Sequence, residues 1–208
     1  QWNAGALSLA SITLEGKGVG GNGAFIRSSG TACREGQAQM TLTGDATINF
    51  GINHNPGQIS LNGYTLTKIG AENWDAFNTG VAKDVDGAGG KGKIVIKSGA
   101  LQWQNKLLST GSADNVLELA GGSLNCYPVS WNAHCPWTLK VTANSTVCAK
   151  SAPGSNNSNC IWSGPVDLAG GVLSLSHNTR DCVFNFTGKV TTSVAGGIEV
   201  KRGITYFK

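Results

Sequence analysis

The sequence predicts an all-β chain: a single-stranded parallel β-helix (β-solenoid) of about eight or nine coils, with disulfide-bearing loop excursions. Three observations carry this. First, Gly makes up 30 of 208 residues while charged residues are only 13%. Those shares are roughly double and roughly half the usual ones. Few segments are rich in helix formers, and the Gly, Ser, Thr, Asn, Val and Ile background favours strands and turns. Second, one short apolar formula recurs along the whole chain. Third, the corner Leu-Ala-Gly-Gly-x-Leu occurs twice, with its Ala-Gly-Gly at 120–122 and 169–171. The same composition excludes other classes. Charge is too sparse to hold a chain disordered, no glycine triplet period marks collagen, and no apolar run is long enough for a membrane helix.

Taken in order, the formula is two apolar residues two apart, a Gly or Asn, then another apolar residue. It reads Ile12-Leu14 then Val19, Met40-Leu42 then Ile48, and Ile59-Leu61 then Leu66. It continues as Ile94-Ile96 then Leu101, Leu117-Leu119 then Leu124, and Leu139-Val141 then Val147. The last are Val166-Leu168 then Leu173, Phe184-Phe186 then Val190, and Ile198-Val200 then Ile204. Residues two apart share one face of a strand. Gly or Asn after them accepts positive φ and turns the chain. The bends are placed at Gly16, Gly44, Gly63, Gly99, Gly121, Asn144, Gly170, Gly188 and Gly203. Steps between successive markers run 28, 19, 35, 23, 22, 27, 18 and 14 residues. Their mean, about 23, suits one solenoid coil. The short last steps leave Phe186 or Val200 as second corners within a coil. The competing fold is a β-sandwich, whose strands also alternate and turn. A single domain covers 1–208.

The segment Ile161-Trp162-Ser163-Gly164-Pro165-Val166-Asp167-Leu168-Ala169-Gly170-Gly171 resembles the autotransporter-associated β-strand repeat, with its Trp-x-Gly-x-(Val/Ile)-x-Leu run before a Gly-rich corner. Residues 42–48 and 59–66 are similar to segments of the same kind of protein. The resemblance implies a right-handed parallel β-helix, exported, with structural or adhesive duty.

Long steps between markers predict loop excursions at 70–92, 126–138 and 148–163. The last two are bracketed by cysteines. The six cysteines are Cys33, Cys126, Cys135, Cys148, Cys160 and Cys182. Their even number and the lack of a C-x-x-C pair favour disulfides and a secreted chain over zinc or cytosolic thiols. Cys126 and Cys148 each follow a marker by seven residues, so in-register coils would bring them together. Loop closure as Cys126–Cys135 and Cys148–Cys160 is favoured slightly, and the pairing stays open. Sequons stand at Asn144, Asn156 and Asn185. The opening Gln1-Trp2-Asn3 suits a processed terminus or a cut fragment.

Chemistry is sparse. Asp84 and Asp86 before Gly87 are the calcium candidate, since alternate oxygens and a Gly turn suit a hard cation, but no later acid completes the loop. His54, His134 and His177 are scattered, and no nucleophile-elbow motif occurs. Carboxylates are few, so no catalytic residue and no cofactor are expected, and the chain is read as not an enzyme. The net charge of +4 is dispersed, which argues against nucleic acid. Trp74, Trp131, Trp137 and Trp162 lie in or beside excursions, and are carbohydrate-contact candidates if exposed or lids over the coil if buried. No capping helix is evident, so the ends belong to a longer solenoid or stack on other copies. The function expected is an extracellular structural protein, a subunit of a self-stacking fibre, surface layer or adhesin shaft. Its partners are copies of itself and surface polysaccharide. The alternative is a carbohydrate-binding or polysaccharide-cleaving β-helix.

Overall fold

A computed structural model describes residues 11–27, 39–50, 58–71, 73–76, 91–104, 113–127, 132–149, 158–177, 182–193, 195–202 and 204–207. Among them the chain is built from short strands, all paired in parallel, with one 3-10 turn at Val19–Gly21. The strands are β1 (Ser11–Gly16), β2 (Phe25–Arg27), β3 (Gln39–Phe50), β4 (Gln58–Ser60), β5 (Thr65–Ile69), β6 (Asn73–Ala76) and β7 (Lys93–Ile96). Next come β8 (Ala100–Gln104), β9 (Val116–Ala120), β10 (Ser123–Tyr127), β11 (Asn132–Cys135), β12 (Thr138–Ala143), β13 (Ser145–Ala149) and β14 (Ser158–Trp162). The last are β15 (Val166–Leu168), β16 (Val172–His177), β17 (Cys182–Phe186), β18 (Val190–Thr192), β19 (Gly197–Val200) and β20 (Ile204–Phe207).

Three parallel sheets form the faces of a β-solenoid. The first runs β1-β3-β5-β7-β9-β12-β15-β18, with β2 and β4 also on β3. The second runs β19-β16-β13-β10-β8-β6 and the third β11-β14-β17-β20. The solenoid makes about five turns, fewer than the eight or nine coils expected. Part of the excess came from markers on different faces. Phe186 lies on the third sheet beside Phe207, and Val200 on the second beside Leu175, so neither opens a coil of its own.

Apolar columns fill the interior. On the first sheet, register partners run Leu66, Ile94, Leu117, Leu139, Val166 and Val190. On the second they run Leu101, Leu124, Val147, Leu175 and Val200. The third sheet stacks Cys135, Trp162, Phe186 and Phe207. All but the last member of each column are buried. Each fully buried Leu or Ile contributes about 2 kcal/mol of hydrophobic stabilisation. Parallel stacking repeats each side chain above its equivalent, so one apolar choice per turn suffices for a continuous core.

Parts of the cysteine-bracketed stretches belong to the solenoid: residues 132–135 and 158–162 are β11 and β14, two rungs of the third sheet, while 128–131 and 150–157 lie outside the described residues. In the first stretch, β6 is a rung of the second sheet against β8. The corners also differ in kind. Gly16, Gly63, Gly99, Gly121 and Gly170 have positive φ as expected. Gly44 and Gly188 do not, and Gly44 sits within β3, where the pairing with β1 slips between Leu14 and Gly16. Asn144 instead links two turns by its side chain, its Oδ1 accepting the Val172 N–H at 3.0 Å. Gly203 lies outside the described residues.

Candidate functional site

Two places stand out: the last turn and the corner between the second and third sheets. Among the described residues the last turn consists of β18, β19 and β20, each paired on one side. All three interior columns run into it and end there, in Val190, Val200 and Phe207. These are 37%, 49% and 51% exposed, although their partners one turn earlier are buried. Phe207 stacks on Phe186 with ring centres 5.5 Å apart, and Phe186 in turn stacks on Phe184 at 6.1 Å. Among the described residues, Phe207 is the exposed last ring of this aromatic column. Beside it on the outer second sheet, Ser174 donates to Glu199 at 2.9 Å and Lys201 pairs with Glu199 at 3.4 Å. They line a polar trough of about 420 Å³ with Asn144, Ser145 and Thr146.

Four described cysteines lie on the second and third sheets, Cys126 and Cys148 on β10 and β13, Cys135 and Cys160 on β11 and β14. Cys126, Cys135 and Cys160 are buried and Cys148 is half-buried. Burial pushes the Cys126 thiol well above its ordinary pKa, helped by a hydrogen bond with Cys160 and the nearness of Cys135 and Cys148. Burial likewise pushes Cys135 up, against a smaller opposite effect of the Trp137 backbone. The register expected between Cys126 and Cys148 is off by one: Cys148 pairs with Asn125, and Cys126 with Ala149. One residue of offset puts the two side chains on opposite faces of the sheet. Three cysteines thus serve as small core residues, a common use of the thiol.

Of the carbohydrate-contact candidates, Trp137 and Trp162 are 0% and 4% exposed. Their rings fill the interior and offer no face to a sugar, which corrects that expectation. The Trp162 indole N–H donates to the Trp137 carbonyl at 2.8 Å. Trp74 lies on β6 with its side chain outside the described residues, as does Trp131 entirely. Asp84, Asp86, Cys33 and Asn156 also lie outside them, and so does the side chain of Cys182. Asn144 is exposed at a corner, and Asn185 is half-buried on β17. No group of three metal-ligating side chains occurs among the described residues.

Sequence reasoning missed Lys68. It is fully buried in a column with Ile96, Leu119 and Val141. Its Nζ donates to the carbonyls of Ser98 at 2.9 Å and Gly70 at 3.0 Å. The available signal was position: Lys68 follows Leu66 by two, where Ile96 follows Ile94. No helix among the described residues is long and apolar enough to cross a membrane. No family model, curated protein or solved structure matches the chain.

Proposed function

We propose that this chain is an extracellular structural subunit of a self-stacking fibre, surface layer or adhesin shaft, with a second copy docking on its last turn. One observation carries the proposal: among the described residues, all three interior columns reach exposed apolar residues, Val190, Val200 and Phe207, on strands paired on one side. Such an edge offers free N–H and C=O groups in a row, and the apolar residues lie where a further turn would cover them. The surface that complements a solenoid turn best is another turn of the same spacing. A contact of unlike ends does not close on itself, so it propagates as a filament. Backbone ladders would then bear load along the fibre axis. The even cysteine count and the resemblance of 161–171 to an exported repeat support the extracellular setting.

The test is negative-stain electron microscopy with sedimentation velocity on the whole chain, beside the variant Val200→Lys with Phe207→Glu. Filaments or concentration-dependent oligomers are expected of the parent, and discrete monomers of the variant. A parent that stays monomeric at every concentration overturns the proposal. So does a variant that polymerises as well as the parent.

A further inference from the structure

We infer that Asn62 is a self-modification site, where the Gly63 backbone nitrogen closes on the Asn62 side chain and the fold holds that reaction back. The site is the bend between β4 and β5. Asn62 has φ 50° and Gly63 φ +83°, and the Tyr64 N–H donates to the Leu61 carbonyl at 2.8 Å to close the turn. Asn tolerates such a left-handed bend, and Gly has no Cβ to crowd its own nitrogen. Asn62 is exposed, so water reaches the amide. Two buried residues hold it. Its Nδ2 donates to the Leu42 carbonyl on β3 at 2.9 Å, and its Oδ1 accepts the Ser60 hydroxyl at 2.7 Å. A carbonyl only accepts, so the nitrogen end of the amide must face Leu42. The side chain is thus a strut from the bend to β3, gripped at both ends of its amide.

The chemistry needs only water. The Gly63 nitrogen gives up its proton and attacks Asn62 Cγ. The new N–Cγ bond forms, the Cγ–Nδ2 bond breaks, and Nδ2 leaves as ammonia with a proton from solvent. Water then opens the cyclic imide at either carbonyl, giving an aspartyl or an isoaspartyl residue. Ring closure swings the side chain toward Gly63 and expels Nδ2, so the bonds to Ser60 and Leu42 must both be given up. Either product puts a carboxylate where the amide donor stood, and the link to Leu42 is lost. The isoaspartyl form also lengthens the main chain at the bend by one methylene. The other Asn-Gly pair is Asn22-Gly23. There the attacking nitrogen is the group engaged: the Gly23 N–H donates to the Lys17 carbonyl at 2.7 Å. One dipeptide is restrained at its amide and the other at its nucleophile, which makes Asn22 an internal reference.

The experiment incubates the whole chain at one mildly alkaline pH, folded and in guanidinium chloride. Peptide mapping then separates the Asn, Asp and isoaspartyl forms at 62 and 22. Denatured chain should accumulate isoaspartate at both positions. Folded chain should convert at 62 at least about tenfold more slowly, the effect of two hydrogen bonds of ordinary strength. Ser60→Ala should speed the folded reaction at 62 several-fold, leave 22 unchanged, and leave the denatured rates unchanged. Ser60→Thr keeps a hydroxyl and should keep the parent's rate. Conversion of folded parent at 62 as fast as in denaturant overturns the inference, and so does denatured chain that yields no isoaspartate there. A folded Ser60→Ala rate at 62 equal to the parent's, or a rise shared equally by 22, overturns the hold given to Ser60. The folded and denatured rates of the parent are compared without any variant, so poor folding of a variant does not blunt the test.

Discussion

Trp162 on β14 reaches back one turn and donates its indole N–H to the carbonyl of Trp137 at 2.8 Å. Both rings are buried, so this bond satisfies a carbonyl that water cannot reach. Trp162→Phe keeps an aromatic ring in the column and removes the donor. The expected cost is about 1–3 kcal/mol, the usual consequence of leaving a buried acceptor unpaired. A urea titration followed by far-ultraviolet circular dichroism reads it as a lower midpoint with an unchanged slope. An unchanged midpoint would show that the indole N–H adds nothing to stability.

The same Trp137 carbonyl explains Gly164. A Cβ at Gly164 would overlap the carbonyls of Trp137 and Pro136, and a Cβ at Gly188 would overlap that of Gly164. Successive turns thus pass too closely at this corner for any side chain. Gly170 is a different case, with φ +105° and open space around it. Gly170→Ala should cost about 1 kcal/mol of backbone strain. Gly164→Ala must displace backbone, and should cost at least twice that or prevent folding. The comparison of denaturation midpoints checks the order, and equal costs would refute close approach as the reason for Gly164.

The inner columns were legible because period-two apolar residues state which way a strand faces. Leu14 and Leu42, Ile96 and Leu119, and Leu119 and Val141 are ladder partners, at the spacings their positions suggested. The third sheet was not legible. Its inward positions in β11 and β14 are Cys135, Cys160 and Trp162, residues whose patterns also fit loops and staples. A thiol counts as a core residue only when its neighbours are known, and those neighbours come from other turns. Positive φ was legible where the corner itself needs it, as at Gly63 and Gly121. Close approach, as at Gly164 and Gly188, depends on the turn stacked alongside. The buried position of Lys68 went against the habit of lysine to stay in water.

Lys68 sits where the column wants an aliphatic side chain, and its ammonium caps the carbonyls of Ser98 and Gly70 at the corner between the first and second sheets. Lys68→Ala removes both the stem and the donor. A loss of about 3 kcal/mol is expected from the cavity and the orphaned carbonyls. Lys68→Met refills most of the volume and should recover part of that loss, since the stem packs even without the charge. Midpoints of chemical denaturation separate the two terms. If Met recovers nothing, the carbonyl contacts dominate. If it equals the parent, the contacts contribute no net stability.

The buried thiols predict the response to alkali. Burial raises the pKa of Cys126 and Cys135 in the folded chain above the ordinary thiol value. The folded state then holds protons that the unfolded state releases, so stability falls as pH rises past the unfolded value. Below about pH 9 both states keep the proton and the contribution is complete. Between about pH 9 and 11 the reduced protein should lose stability progressively, with a slope set by the protons that unfolding sets free. Cys135→Ala removes one such group and should flatten the slope by close to one proton. Denaturation midpoints across this range, on the reduced parent and on reduced Cys135→Ala in parallel, measure the effect. A slope identical in the reduced parent and in Cys135→Ala would mean that the Cys135 thiol ionises in the folded state as readily as in the unfolded one.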